Sequence, residues 1–396
     1  MPLLRAVGAG ALSLLLPASA LLVAGSDPAV AKAPATSTSV SARLEQTIRL
    51  MSLPQIVQPG GRVANPDTAR AAFTATIRPI TAGRKVKLQV LKGSSWQTVA
   101  TVGQNRKGRA QFAAAATSNG QPLTYRAVAA SYPDLPAITS RSVSTERWLS
   151  PTWTDRFSGT SLSAKWQQRG QTYEPQSSRN CSRGSAKAVK VGGGVVRLSV
   201  MRDPNRHTLC PALKAGQVAG HYAYRLNGHI GTDDRFSFKY GVAAARMKFP
   251  RLPGQHGSFW MQPVGGMYPG GTGHEIDVIE SFGTSRRSSG LWTYIWRYQS
   301  GSIVKSGVNI PNTFLSGRRD AWWKRFHVFS VQWKPHLLVF RIDGKETWRI
   351  GGKVSQVQQY VILSLLSSDY EIPLIQDSQL PQHMYVDWVR VWETGG

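Results

Sequence analysis

The chain has 396 residues, long enough for more than one domain, and carries 48 Lys and Arg against 21 Asp and Glu, a formal net charge of +27 at pH 7. That surplus favours acidic partners by long-range attraction, with anionic cell-wall polymers and acidic polysaccharides ahead of nucleic acid, for which no recognition motif is present. The basic residues are dispersed along the chain, so general solubility is the competing explanation.

Residues 1–31 begin M-P-L-L-R, continue as an alanine- and leucine-rich run and end in Ala29-Val30-Ala31. One early positive charge, an apolar stretch and small residues at its end describe a signal peptide cleaved after Ala31. No other long apolar segment exists, so no membrane span is expected and the protein is read as secreted or wall-associated. Residues 32–43 are a flexible leader.

From 44 to 149 short apolar runs alternate with turns: Ala71–Ile77, Lys85–Leu91, Trp96–Val102, Ala110–Ala114 and Leu123–Ala129. Spacing near ten residues with Gly and Pro punctuation predicts a small β-sandwich. Its Gly-Arg-x-Val-x-Leu strand, tryptophan hairpin and closing Tyr-Arg strand resemble bacterial immunoglobulin-like modules. It holds no acid cluster or His pair, so its expected work is binding, spacing or stabilising. Tyr132–Pro136 and Ser140–Thr145 are read as the lead into a second, separable domain over 150–396.

The two cysteines, Cys181 and Cys210, fall at the start of that second domain. In an exported chain an even pair reads as one disulfide, closing a loop around a predicted strand over Val195–Met201 and stabilising by about 3–4 kcal/mol.

The most informative stretch is His274–Gly283, H-E-I-D-V-I-E-S-F-G. Its β-branched residues argue for a strand, on which Glu275 and Asp277 share a face while Glu280 breaks parity. One extra residue accommodated as a bulge at Val278–Ile279 returns all three acids to one face. An acidic edge strand or a calcium loop is the bland alternative. Carboxylates on an apolar strand are costly to bury without use, whereas two glutamates flanking an aspartate are what retaining glycoside hydrolysis requires, so catalysis is the preferred reading. His274 faces away from the acids if alternation holds. The next strand, Leu291–Tyr298, places Trp292, Tyr294, Trp296 and Tyr298 on one face, either as a cleft floor for sugar rings or as core packing.

E-I-D-V-I-E resembles the E-x-D-x-x-E signature of family 16 glycoside hydrolases, the laminarinase and lichenase group, in its bulged form. Four further blocks follow in family order: Tyr240–Pro250 (Y-G-V-A-A-A-R-M-K-F-P), Gly257–Pro263 (G-S-F-W-M-Q-P), Phe326–Lys345 and Tyr385–Trp392. The resemblance implies an all-β, concanavalin-like β-jelly-roll sandwich behind the immunoglobulin-like one. It implies Glu275 as nucleophile, Asp277 as its helper, Glu280 as acid/base and Trp260 as a cleft tryptophan. No organic cofactor is implied. A structural calcium ion is, with Asp387 as its candidate ligand.

The sequence departs from the family pattern where His256, Gly257 and Ser258 replace W-P-A, where Ala244 replaces the glutamate of Y-G-x-x-E-A-R, and where Leu363–Asp369 reads L-S-L-L-S-S-D. The expected function is a secreted, monomeric retaining endo-β-glycanase acting on β-1,3- or mixed β-1,3/1,4-glucan. A transglycosylase using the same covalent intermediate and a non-catalytic carbohydrate-binding wall protein are the alternatives.

Overall fold

A computed structural model describes residues 45–267, 273–283, 290–299, 302–317, 319–352 and 354–395. The expected signal peptide and leader lie outside the described residues.

The N-terminal part is two small antiparallel sheets. One runs Thr47–Val57, Arg70–Arg78, Arg109–Ala114; the other runs Val143–Ser144, Thr124–Ala129, Lys85–Lys92, Ser95–Gly103. Alternation does the work: in K-V-K-L-Q-V-L-K, Val86, Leu88 and Val90 are buried while the terminal lysines and Lys87 face water. They meet Phe73, Ile77, Phe112 and Tyr125 in one core, and the Tyr125 hydroxyl donates to Ala115 O at 2.7 Å.

All five expected strands are present, but the longest, Thr47–Val57, was not anticipated. Its Pro54 reads as a breaker; the strand lies at a sheet edge and absorbs the proline inside the first of two register shifts, at Ser52/Gln55 and Gln55/Val57. A second correction concerns Ser140–Thr145, expected to lead out of the domain. Val143–Ser144 instead pairs with Tyr125 and Thr124, and the Thr145 hydroxyl donates to Ala116 O. The chain leaves this part only around Trp148.

The rest is a larger antiparallel sandwich. The sheet that carries the acids runs Ser302–Asn309, Leu291–Gln299, Glu275–Ser281, His256–Pro263, Gln359–Leu366, Arg225–Gly231. Arg225–Gly231 also pairs with Val195–Arg202, and from there the opposite sheet continues through Gln382–Glu393, Gly241–Lys248, His327–Lys334, Leu337–Ile342 and Lys345–Gly351. Between them Ile276, Val278, Phe259, Leu363, Ala243, Phe329, Val389 and their neighbours form the core. Cys181 and Cys210 are joined, with Cα atoms 5.6 Å apart.

The two parts do not meet through a loose linker. Leu53, Ile56, Val57 and Ala72 pack on Val242, Ala244, Val328, Trp388 and Trp392, with Trp148 inserted between. The indole N–H of Trp388 donates to Gln58 Oε1 and that of Trp392 to Trp148 O. Gly60 and Phe326 exchange backbone hydrogen bonds across the seam, and a Cβ at Gly60 would stand 2.8 Å from Arg246 Nη2. The glutamate of the family pattern at position 244 would be buried here against apolar side chains; alanine fits.

Candidate active site

The strand Glu275–Ser281 contains the expected bulge. Its partners on one side are Trp296, Tyr294 and Trp292 for Glu275, Asp277 and Glu280, so two residues, Val278 and Ile279, face only Thr293. Both enter the core with Ile276. The bulge frees the Val278 carbonyl, which the buried Thr293 hydroxyl takes at 3.0 Å. The three acids thus emerge on one face, opposite the core.

Each carboxylate has its own donor. Gln262 Nε2 donates to Glu275 at 3.1 Å, Trp296 Nε1 to Asp277 at 2.9 Å and Ser258 Oγ to Glu280 at 3.3 Å. Burial nevertheless dominates. It lifts Glu275 to about 7, with the Glu280 charge adding to the lift and Gln262 and Lys305 opposing it. Asp277 is raised well above the ordinary range by burial and by both glutamates, and Glu280 is raised by burial against the pull of His256 and Lys305. Burial and mutual repulsion here oppose three charges at once, so the acids share protons more readily than free carboxylates do.

The acids form one end of a cleft of about 230 Å³. Trp260 stands beside them, its indole N–H on Ser364 Oγ at 2.8 Å and its ring stacked on His229 at 6.2 Å. The far wall is the segment containing Glu174, Arg179, Ser182, Arg183 and Gly184. The disulfide anchors this wall at Cys181, whose backbone N–H donates to Asp369 while Asp369 also accepts from Leu213 N–H. The departing L-S-L-L-S-S-D segment therefore has a job: Ser364 holds Trp260, Ser367 O accepts from Ser182, Ser368 Oγ accepts from Arg179, and Asp369 holds Cys181.

Of the other expected residues, Trp292, Tyr294 and Trp296 lie directly across from the acids and on their face. Trp292 and Tyr294 stack at 5.4 Å, and the Lys305 ammonium sits 3.5 Å from the Tyr294 ring centroid and 4.4 Å from that of Trp296. His274 is buried away from the cleft lining, drawn down to about 4 by burial, with Nδ1 unpartnered among the described residues.

Asp387 does not fit a cation site. Its carboxylate is engaged by the Arg246 guanidinium and accepts from Ala64 N–H at 3.1 Å within the seam. Among the described residues no group of three or more His, Cys, Asp or Glu could hold a metal ion.

Sequence reasoning missed Lys305, Gln262, Arg179 and the pair formed by His256 Nδ1 and Glu371 Oε2 at 2.7 Å. Only Lys305 left a trace, as a lone cation on the alternating strand after the aromatic stripe.

The family model described as glycosyl hydrolases family 16 matches residues 184–389. The glucan endo-1,3-beta-glucosidase A1 of Niallia circulans is 26% identical over 269 residues, 61% of this chain and 37% of that protein. The beta-glucanase of Fibrobacter succinogenes is 26% identical over 162 residues, 39% of this chain and 44% of that protein. The chain thus spans less than half the length of these curated relatives. Among solved structures, the laminarinase catalytic domain from Thermotoga maritima aligns with a TM-score of 0.49 at 19% identity, covering 62% of this chain and 99% of that one.

Proposed function

The chain belongs to glycosyl hydrolase family 16, and from that premise we propose that it is a retaining endo-β-glycanase cutting β-1,3- or mixed β-1,3/1,4-glucan. The observation that carries this reading is the bulge that brings Glu275, Asp277 and Glu280 to one face at the end of a cleft. In the proposed reaction Glu275, ionised, attacks the anomeric carbon while Glu280, protonated, gives its proton to the departing oxygen. The resulting glycosyl ester on Glu275 is then broken by a water that Glu280, now a base, deprotonates.

Asp277 sits between them, held by Trp296, and its hydrogen bond lowers Glu275, which favours the ionised nucleophile. Trp260 offers a ring face and the Arg179–Gly184 wall offers hydrogen-bond donors to hydroxyls along the polymer. The relatives named as a glucan endo-1,3-beta-glucosidase and a beta-glucanase support the substrate. Export by the signal peptide, an immunoglobulin-like identity for 44–149 and a monomeric state complete the proposal.

The test is hydrolysis of laminarin and lichenan, with agarose and carrageenan as controls, following the anomeric configuration of the first product by NMR. Release of β-anomer from a β-linked glucan supports the reading. An α-anomer as first product would show inversion and remove Glu275 as nucleophile.

A further inference from the structure

The apolar seam described above gives way at one end to a polar crevice of about 200 Å³. One wall is the first sheet of the N-terminal part, where Arg49 and Met51 lie directly across from Thr76 and Thr74. The other is the outer sheet of the large sandwich, contributing Gln332, Lys334, Arg341 and Arg349. A neighbouring crevice of about 280 Å³ shares Arg49, Met51, Gln332 and Lys334 and adds Arg147, so the two follow one line along the seam.

The charge here is unbalanced. Glu346 is the nearby acid, and it is already bound by Arg109 at 2.6 Å and by Arg349 at 2.5 Å. Arg49 and Lys334 meet no carboxylate among the described residues. The Lys334 ammonium is pushed below its ordinary range by partial burial and then by the repulsion of Arg49, Arg341, Arg147 and Arg349. Each of these four arginines thus lies close enough to act on the Lys334 charge.

Two buried polar groups also lack partners among the described residues. Thr74, 3% exposed, has none of these for its hydroxyl. Arg341, 2% exposed, donates through Nη1 to Val339 O and through Nη2 to Gln332 Oε1, while its Nε–H is unmatched. The Nε–H groups of Arg169, Arg197, Arg225, Arg297 and Arg390 are unmatched as well, so it is the unpaired charge of the crevice, and not these donors, that identifies a ligand. A doubly charged oxyanion answers the charge that no carboxylate balances here among the described residues.

We propose that this interdomain crevice is a phosphate-binding site, held by Arg49 and Lys334 from its two walls, with Thr74 and Arg341 lining it, and independent of the glycan cleft. A volume of about 200 Å³ suits one tetrahedral group, and the adjoining groove with Arg147 gives a chain-borne phosphate somewhere to continue. The site needs both parts of the chain, so its occupant joins them. It also gives a specific use to part of the +27 surplus, which the glycan cleft leaves unexplained.

The experiment is thermal unfolding of the full chain titrated with inorganic phosphate against chloride at constant ionic strength. Phosphate should raise the melting temperature saturably, as expected for a ligand that binds only the folded state. Arg49→Gln/Lys334→Gln, both at exposed positions, should weaken the apparent affinity by roughly tenfold or more. Lys190→Gln/Lys214→Gln, which removes the same charge elsewhere, should leave it unchanged. Polyphosphate serves as a second arm: tighter binding per phosphate than the free ion identifies a polymer as the source, and equal binding identifies the free ion. A non-saturable response, an unaltered Arg49→Gln/Lys334→Gln titration or an equal loss in the control pair would each overturn the proposal.

Discussion

At the cleft, Glu275, Asp277 and Glu280 share one face, and the cations that pull on them, Lys305 and His256, do not overcome burial. Across the core, on the seam, buried carboxylates are met directly by guanidinium groups: Asp387 by Arg246 and Glu346 by Arg109. The same sandwich therefore buries charge in two ways. Seam carboxylates are bonded to guanidinium groups, Asp387 keeping Arg246 although burial raises its pKa, and breaking a pair should cost stability; cleft carboxylates are crowded with no guanidinium bonded to them among the described residues and should cost stability by being present. Chemistry is placed where the fold tolerates frustration, and pairing where it needs a joint.

The sharpest way to break this contrast is to remove the acids. Glu275→Ala should abolish glucan hydrolysis, with azide restoring some turnover by filling the vacated space, while Glu280→Ala should lose roughly 10²–10⁴-fold on glucan yet still react with substrates whose leaving group needs no proton. Neither variant should melt lower than the parent. Asp277→Asn should be milder than both and should alter the pH profile. Wild-type rates in both glutamate variants would remove the carboxylates from the mechanism.

On the seam the order reverses. Asp387→Ala leaves Arg246 buried and uncompensated, an expected loss of about 3–5 kcal/mol in denaturant unfolding with turnover per folded molecule unchanged. If stability is unchanged instead, the pair is not holding the two parts together.

A smaller effect separates the regions by pH. Glu275 is held above its ordinary value, so its contribution to stability is greatest below about 4.5 and is lost as pH rises to about 7; Glu275→Gln should flatten that stretch of the melting curve. At the seam's margin, His327 bonds to Asp343 at 2.8 Å and Asp320 at 3.3 Å. Burial lowers its pKa, but these two bonds outweigh burial and raise it to about 9. Its contribution is full below about 6.5 and is lost as pH rises to about 9; His327→Gln should flatten that later window and leave the earlier one intact. The smallest expected change is in Lys305→Gln, which removes a charge that lowers all three acids and should move the acid limb of the activity profile to higher pH.

Much of this architecture could be read from residues alone, for identifiable reasons. The bulge followed from parity, because three acids among β-branched residues allow one way back to a shared face. Asp387 was misplaced because a motif transfers a position and not its neighbours; Arg246 and the Gln58–Ala64 backbone that surround it come from elsewhere in the chain. Arg179 and the His256–Glu371 pair reach the cleft across long sequence separations, which no local pattern records. The seam did leave a signal. In Gln382–Glu393, Val389 and Val391 enter the core while Trp388 and Trp392 enter the seam, and a strand apolar on both faces is a strand covered on both sides.

Ala244 bears on how freely this catalytic unit can be moved between proteins. Glutamate at that position would place a charge on the outer sheet and oppose its burial; with alanine, beside Val242, Trp388 and Trp392, the sandwich carries an adhesive patch wherever it goes. The substitution and the neighbouring domain are each a liability without the other. Portability is restored only by changing the patch and the partner together, so grafting residues 150–396 onto another scaffold requires Ala244→Glu and polar replacements around it before any attention to the cleft.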